Sequence, residues 1–165
     1  MSGHGLRLIG GIDDCRGISE ENWESVALPH TSSKLYCLDD LSSLSTFGFR
    51  GEALSSMCST SASVEVHTRT ADADVGMRLK FDRNGRLVSK VPFPRTVGTT
   101  VTVSGLFEPL PVRAKELAKN AKRELSKAIS VLQSYAVACE GIRLNCIHDG
   151  DEILSTEGGN LREKV

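Results

Sequence analysis

The sequence predicts an α+β fold, a two-layer α/β sandwich with a mixed, mostly antiparallel sheet and helices on one face. Apolar and polar residues alternate with a period of two between residues 63 and 103, which indicates several strands. Asn84-Gly85 separates two of these runs and is typical of a tight hairpin turn. From Ala114 to about Cys139 the apolar residues recur at helical spacing, which predicts one long helix. Helices combined with a mainly antiparallel sheet give the α+β class.

The length and composition of the chain fit one globular domain with a core of ordinary size. It has 165 residues, of which 39% are hydrophobic, and its net charge is −1. The five cysteines are odd in number and include no Cys-x-x-Cys pair, so buried or inert thiols are expected instead of a disulfide framework or a zinc site. No apolar run is long enough to span a bilayer, and we expect an intracellular protein without membrane contact.

The first half of the chain predicts one strand and three helices. Apolar residues between positions 6 and 12 indicate a strand that ends at an Asp-Asp turn. Ser19 precedes acidic residues and predicts the cap of a helix over residues 20–28, which Pro29 ends. Leucines at positions 38, 41 and 44 predict a short helix. A further helix is expected to begin at Glu52.

The second half predicts a meander followed by the long helix and a hairpin. The alternating positions run from Val64 to Thr68, from Val75 to Phe81 and from Leu87 to Val91, and a fourth strand covers residues 99–103. After the helix, residues 142–146 form another strand, and an Asp-Gly turn leads into residues 153–154. The apolar face of the long helix comprises Leu117, Ala121, Leu125, Ile129, Leu132 and Ala136.

Residues 47–56 predict a phosphate-binding lid. Gly48 and Gly51 allow the backbone to approach a ligand closely, because neither carries a Cβ atom. A helix that opens after these glycines points unpaired N–H groups outward, an arrangement that attracts phosphate. An ordinary turn from loop to helix explains the same residues about equally well. Arg50, between the glycines, suits either a phosphate contact or a salt bridge within the domain.

Several other motifs accompany the lid in a fixed order. They are Asp-Asp-Cys-Arg-Gly at residues 13–17, His-Thr-Ser-Ser-Lys at 30–34, Gly-Thr-Thr-Val at 98–101 and Leu-Phe-Glu-Pro-Leu-Pro-Val-Arg-Ala-Lys at 106–115. Together with Gly-Phe-Arg-Gly-Glu-Ala-Leu at residues 48–54, this series closely resembles the N-terminal ATPase region of MutL-type DNA mismatch repair proteins. The eukaryotic postmeiotic-segregation branch is the nearest. The resemblance implies the GHKL, or Bergerat, ATP-binding fold.

The resemblance also implies an ATP site and names its residues. Asp13 would accept a hydrogen bond from the exocyclic amine of adenine, with Thr99 supporting it from a central strand. Read from the residues alone, each has a structural alternative. Asp13 fits an exposed acidic turn, Thr99 fits a plain strand residue, and the Thr-Ser-Ser-Lys segment without its neighbouring motifs fits a solvated loop. The implied ATP-binding residues are Asp13, Gly17, Ser32, Ser33, Lys34, Gly48, Phe49, Arg50, Gly51, Glu52, Ala53, Leu54 and Thr99.

The chain departs from the family pattern at two places. Asp14 and Cys15 stand where the family has Asn and Gly, and a Cβ at position 15 costs about 1 kcal/mol or more if φ is positive there. Residues 1–11 leave no room for the family helix that carries the catalytic Glu and the magnesium-binding Asn. No catalytic residue or metal ligand is therefore named, although ATP and Mg²⁺ are the cofactors that the family implies.

These departures leave two functional hypotheses. In the first, residues 1–157 form an ATP-binding domain without its first helix and residues 158–165 begin a connection to a second domain. ATP would then gate dimerisation in nuclear mismatch repair, with another MutL homologue and MutS-type proteins as partners. In the second, the chain is a fragment or a degenerate paralogue that acts only as an interaction module.

A basic cluster near the start of the long helix suggests a contact with DNA. Such a contact would be weak and independent of sequence, since lysine and arginine would bind only the phosphate backbone. A solvated helix face paired with Glu116 and Glu124 is the commoner explanation. The residues concerned are Arg113, Lys115, Lys119, Lys122 and Arg123, with Lys127 one turn further on.

Overall fold

The computed structural model describes residues 1–31, 51–139 and 141–156 of the chain. The expected short helix at residues 38–44 lies outside them. Contacts divide the chain into two compact units. The first unit comprises Met1–Ile9 and Leu110–Val165, and the second unit comprises Gly10–Pro109. The second unit contains most of a five-stranded sheet, and the first unit contains the long helix and a two-stranded sheet.

The five-stranded sheet has the order β1-β5-β2-β3-β4. Strands β2, β3 and β4 form the expected antiparallel meander, whereas β5 returns to pair antiparallel with the other edge of β2. This arrangement places β2 at the centre, between β5 and β3, and confirms the mainly antiparallel sheet of an α+β fold. The strand bounds are β1 Leu8–Asp13, β2 Ser61–Arg69, β3 Gly76–Phe81, β4 Leu87–Phe93 and β5 Gly98–Leu106.

One face of this sheet is apolar and buried. Val64 pairs with Phe81 on one side and Val103 on the other, and all three side chains are buried. The intervening residues of β2, such as Glu65, point to the opposite face, because side chains alternate along a strand. Helix α1 (Ala53–Thr60) contacts β2 and β5 and buries its Cys58. The sheet and helix thus form the two layers that the sequence predicts.

The described cysteines differ in burial. Cys58 and Cys146 are buried, as the sequence indicates, whereas Cys15 is exposed. Burial, aided by the charge of Asp82, raises the pKa of the Cys58 thiol to about 11. Because the thiolate is the nucleophilic form, Cys58 is inert near neutral pH.

The hairpin between β3 and β4 closes at the predicted Asn-Gly turn. Gly85 has a φ of +77° and its N–H donates to the carbonyl of Asp82. The carboxylate of Asp82 also accepts from the backbone N–H groups of Asn84 and Arg86, at 2.8 and 2.9 Å. Val75 is 53% exposed and lies outside β3, so the expected strand over residues 75–81 begins one residue too early.

The prediction of a helix over residues 20–28 is wrong. A single 3-10 turn covers Glu20–Asn22, and the chain continues as hydrogen-bonded turns. The hydroxyl of Ser19 does not cap the backbone but bonds the side chains of Glu21 and Asn22 instead. The hydroxyl of Ser25 donates to the carbonyl of Asn22, and local bonds of this kind from a side chain to the backbone compete with a regular helix. The indole N–H of Trp23 donates to the carbonyl of Ile18 and fixes this turn.

In the first unit, the long helix α2 spans Pro111–Ala138. It begins before the expected Ala114, since proline suits the first turn of a helix, where its missing N–H is not needed. Ala121 and Ala136 are buried, and the four larger residues of the predicted apolar face are half-buried. No helix in the described ranges is both long and apolar enough to cross a bilayer.

The same unit contains a small hairpin. Strand β6 (Asn145–His148) pairs antiparallel with β7 (Asp151–Ser155) through the expected Asp-Gly turn. The expected strand over residues 142–146 begins later, at Asn145, and Ile142 is 55% exposed. A 3-10 turn at Gly3–Gly5 contacts α2.

Candidate functional site

Asp13 ends strand β1, and backbone hydrogen bonds hold its side chain. Its Oδ1 accepts from the N–H of Cys15 at 3.0 Å and from the N–H of Thr99 at 3.1 Å. The residue is exposed, and Oδ2 has no hydrogen-bond partner among the described residues. The structure therefore brings Asp13 and Thr99 together and leaves one carboxylate oxygen available as an acceptor.

Thr68 ties the turn after β1 to the centre of the sheet. Its hydroxyl accepts from the N–H of Ile18 at 2.7 Å and donates to the carbonyl of Gly98 at 3.4 Å. The side chain is only 1% exposed. This role was not predicted from the sequence. The available signal was a polar residue that follows Val64 and Val66 on the buried face of β2.

Gly17 and Gly98 allow the backbone segments of this site to lie in contact. Gly17 has a φ of +78°, and a Cβ there would lie 2.2 Å from the carbonyl oxygen of Arg69. Gly98 has a φ of +125°, and a Cβ there would lie 2.2 Å from the carbonyl oxygen of Asp13. Both positions require glycine, because a side chain would meet backbone atoms that cannot move aside.

Cys15 does not strain the turn. It is exposed and is not among the described residues that have positive φ. The cost of about 1 kcal/mol anticipated for a Cβ at this position therefore does not arise. Its N–H still donates to Asp13, which is the local contact that the turn needs.

Arg95 is a second positioning residue that was not predicted from the sequence. Its guanidinium donates to the carbonyl of His67 at 2.5 Å and to the carbonyl of Asp13 at 3.4 Å. Arg69 in turn donates to the carbonyl of Arg95 at 3.1 Å. The two arginines thus connect the ends of β1 and β2 to the segment before β5. A single arginine beside Pro94 gave no sequence signal for this.

Gly51 and Glu52 of the lid lie against His30 and Thr31, here called the histidine loop. Gly51 has a φ of +64°, and a Cβ there would lie 2.2 Å from the carbonyl oxygen of Thr31. The imidazole Nδ1 of His30 lies 3.5 Å from the carboxylate of Glu52. Both contacts join the two segments for which phosphate binding is expected. Six of the expected residues lie outside the described part of the chain: Ser32, Ser33, Lys34, Gly48, Phe49 and Arg50.

Helix α1 begins directly after Glu52, as predicted. Its first backbone hydrogen bond runs from the N–H of Ser56 to the carbonyl of Glu52. The N–H groups of Ala53 and Leu54 therefore precede the first intrahelical bond and have no acceptor within the helix. Glu52 makes no side-chain cap. This end of α1 can donate hydrogen bonds to an anion.

The described residues do not fit a magnesium site at this place. Magnesium prefers carboxylates and water in near-octahedral geometry. Among the described histidines, cysteines and acids, the group close enough to share a metal ion lies in the other unit, at His4, His148 and Asp149. We therefore assign no magnesium ligand and no magnesium-dependent step to the described part of this site.

The basic cluster lies on α2, in the first unit. All five of its residues are exposed, and they alternate along the helix with the half-buried apolar face. Arg123 and Lys127 lie 3.3 and 3.0 Å from the carboxylate of Glu124, and the hydrogen bond from Lys127 holds the pKa of Glu124 below its usual range. Lys119 and Lys122 form no ion pair with a described residue. These two lysines are thus available for another contact.

Comparisons with known proteins agree with this architecture. No family model matches the chain, so the assignment rests on individual relatives and solved structures. The mismatch repair endonuclease PMS2 of Gallus gallus is 43% identical over 171 residues, covering 100% of this chain and 20% of that protein. PMS2 of Homo sapiens is 47% identical over 146 residues, covering 88% and 17%. The DNA mismatch repair protein PMS1 of Arabidopsis thaliana is 41% identical over 160 residues, covering 93% and 17%.

Two solved structures share the fold. The N-terminal domain of a DNA repair protein superposes with a TM-score of 0.82 at 36% identity, covering 98% of this chain and 47% of that one. The MutL ATPase domain of Aquifex aeolicus, complexed with ADP, has a TM-score of 0.68 at 22% identity and covers 95% and 54%. The chain spans about a fifth of the length of the curated relatives. In sequence and in fold, this chain belongs to the MutL-type DNA mismatch repair proteins.

Proposed function

We propose that this chain is an ATP-binding domain and that Asp13 recognises the adenine base. The observation that carries the proposal is the fixed carboxylate at the end of β1. Backbone N–H groups of Cys15 and Thr99 occupy Oδ1, which leaves Oδ2 as an acceptor. The exocyclic amine of adenine is a donor, and an ionised carboxylate can only accept, so the two are complementary.

The phosphates would bind at the lid. Gly51 brings the lid against Thr31, next to the expected Ser32, Ser33 and Lys34. The N–H groups at the start of α1, from Ala53 and Leu54, add donors and a favourable helix dipole. Gly48, Phe49 and Arg50 complete the proposed lid.

The wider role follows from the family. We infer that residues 1–157 act as the ATP-binding domain and that residues 158–165 begin a connection to a second domain. ATP binding would promote pairing with another MutL homologue during mismatch repair in the nucleus, with MutS-type proteins as further partners. Magnesium remains a family expectation. No described residue is proposed as a general base, so the proposal is for nucleotide binding and not for a hydrolytic step.

Isothermal titration with a non-hydrolysable ATP analogue tests the adenine contact. Asp13→Asn keeps Oδ1 as the acceptor for both backbone N–H groups but replaces Oδ2 with an NH₂ group that faces the amine of adenine. A lost hydrogen bond to a charged group, with a donor left unpaired, costs about 1.5–3 kcal/mol. We expect binding to weaken by roughly 10- to 100-fold.

Asp14→Asn is the matched control. It makes the same change of charge at the next residue, which is also exposed. Binding by this variant should equal that of the parent within about twofold. If Asp13→Asn binds the analogue as tightly as Asp14→Asn does, adenine is not recognised by Asp13. If the parent does not bind at all, the chain is the non-catalytic interaction module instead.

A further inference from the structure

Two histidines and an aspartate meet in the first unit, whereas the proposed nucleotide site belongs to the second. The rings of His4 and His148 lie edge to face, with their centroids 4.9 Å apart. His148 Nε2 lies 3.3 Å from the Oδ2 of Asp149. One ring nitrogen from each histidine and one oxygen of Asp149 all lie within 4.8 Å of one another. Three side chains of metal-binding type therefore converge on one point.

The backbone holds this cluster in place. The N–H of Gly3 donates to Asp149 Oδ1 at 2.9 Å, and the N–H of Asp149 donates to the carbonyl of Met1 at 3.0 Å. These bonds fix the N-terminal turn against the β6-β7 hairpin. His4 and Asp149 both adopt positive φ, at 56° and 50°, which costs free energy in residues other than glycine. This conformation directs both side chains to the same place.

The two carboxylate oxygens of Asp149 have different partners. Oδ1 accepts from the N–H of Gly3 and lies 3.9 Å from the guanidinium of Arg7, whereas Oδ2 faces Nε2 of His148. Nε2 is thus the nitrogen of His148 that is directed at the cluster, and Nδ1 is buried on the other side of the ring. Asp149 is partly exposed and gives a path to solvent.

The kind of metal follows from the ligands and the distances. Two imidazoles and one carboxylate suit zinc and similar transition metals, whereas magnesium and calcium prefer oxygen ligands alone. Tetrahedral zinc has ligands at about 2.0–2.1 Å, which sets ligand atoms roughly 3.3 Å apart. The separation of 3.3 Å between His148 Nε2 and Asp149 Oδ2 matches that geometry. His4 contributes the third ligand atom of a set that lies within 4.8 Å of one another.

We propose that His4, His148 and Asp149 form a zinc-type metal site that fastens the N-terminal turn to the β6-β7 hairpin. Solvent completes the fourth coordination position. The site is separate from nucleotide binding, and its role is to stabilise the first unit. A ligand that binds only the folded state raises stability by RT ln(1 + [L]/Kd). Zinc should therefore protect this unit against unfolding.

Zinc titration of the metal-stripped full chain tests the proposal. Isothermal calorimetry should show one site with a Kd of about 10 µM or lower, and Mg²⁺ in excess should not compete. His4→Ala and Asp149→Asn should each weaken zinc binding by about tenfold or more, since even changes outside the ligand set cost 10- to 100-fold. Asparagine tolerates the positive φ of position 149, so this variant keeps the fold.

Two control variants remove residues of zinc-binding type that lie outside the proposed site. His30→Ala deletes an exposed histidine elsewhere, and Cys15→Ser deletes an exposed thiol. Both should bind zinc like the parent and show the same zinc-dependent rise in melting temperature. Circular dichroism confirms that each variant is folded. The proposal is overturned if the parent binds zinc no more tightly than His4→Ala, or if Asp149→Asn retains the full rise in melting temperature.

Discussion

At the scale of single residues, the candidate site depends on three glycines that fill the same structural need. Gly17, Gly51 and Gly98 have positive φ, and a Cβ on any of them would lie 2.2 Å from a carbonyl oxygen. Each carbonyl belongs to a segment distant in sequence: Arg69, Thr31 and Asp13. Direct contacts between backbone segments therefore position the side chains of the site.

Gly98→Ala should destabilise the second unit strongly. The new Cβ would displace the carbonyl of Asp13 and also force a residue with a side chain into positive φ. Strain and overpacking together cost about 2–4 kcal/mol. Urea unfolding of the full chain, followed by fluorescence of Trp23, measures the loss.

Gly11→Ala is the matched control for this substitution. Gly11 lies on β1 close to the same turn, and a Cβ there would meet nothing within 4 Å. Its φ is not positive, so alanine should change stability by no more than about 1 kcal/mol. Equal unfolding free energies for the two variants would contradict the argument that Gly98 is required for close backbone contact.

At the scale of elements, the periodic segments could be predicted from sequence and the contacts between them could not. The period of two gave β2 and β3, because only one face of each strand is buried. Strand β4 follows the Asn-Gly turn and alternates in sequence, although none of its residues is buried. Helix α2 was equally clear, since its apolar residues recur over 28 residues. The 3-10 turn at Glu20–Asn22 was mistaken for a helix, because Ser19 and the acidic residues after it match the pattern of a capped helix start, yet its hydroxyl makes no cap.

Only some residues of the candidate site could be named from the sequence. Motif resemblance named Asp13 and Thr99 as candidates, and the structure joins them by a hydrogen bond from the backbone N–H of Thr99 to Oδ1 of Asp13. Thr68 and Arg95 were missed, since each acts on backbone groups more than 25 residues away in sequence. The pairing of β5 with β2 creates those contacts. Such contacts can be recognised only when the strand order of the sheet is known.

Helix α2 supports a test of DNA contact. Lys119, Lys122 and Arg123 lie on its exposed side, and the two lysines have no ion-pair partner in the described ranges. The logarithm of the affinity for duplex DNA falls by about 0.9 per phosphate contact for each tenfold rise in salt. Replacing these three residues with alanine should therefore flatten the salt dependence by up to about 2–3 units of slope. Fluorescence anisotropy at several salt concentrations measures it.

A second triple variant separates local contact from net charge. Lys80, Arg83 and Arg86 are also exposed but lie on the β3-β4 hairpin of the second unit. Replacing these with alanine removes the same charge from the chain. The salt slope of this second triple variant should match that of the parent. If both triple variants reduce the slope equally, the α2 cluster is a solvated helix face without a specific contact.

At the scale of the whole molecule, nucleotide binding and association should be linked. The lid holds residues that would contact both the phosphates and the rest of the domain, as Gly51 and Glu52 already contact the histidine loop. If ATP favours the state that pairs with another MutL homologue, pairing must favour ATP by the same factor, because coupling free energies are reciprocal. The nucleotide affinity should then depend on protein concentration.

Sedimentation of the full chain, with a partner MutL homologue and with or without a non-hydrolysable ATP analogue, tests this linkage. The analogue should increase the fraction of complex, and a coupling of about 1–3 kcal/mol would change the association constant roughly 5- to 150-fold. Asp13→Asn should remove this dependence on nucleotide but keep the association seen without it, whereas Asp14→Asn should behave like the parent. In the proposal Asp13 contacts the nucleotide and not the partner, so an analogue-driven increase that persists in Asp13→Asn would contradict nucleotide gating through this site. An unchanged complex in every sample would mean that the chain associates independently of ATP.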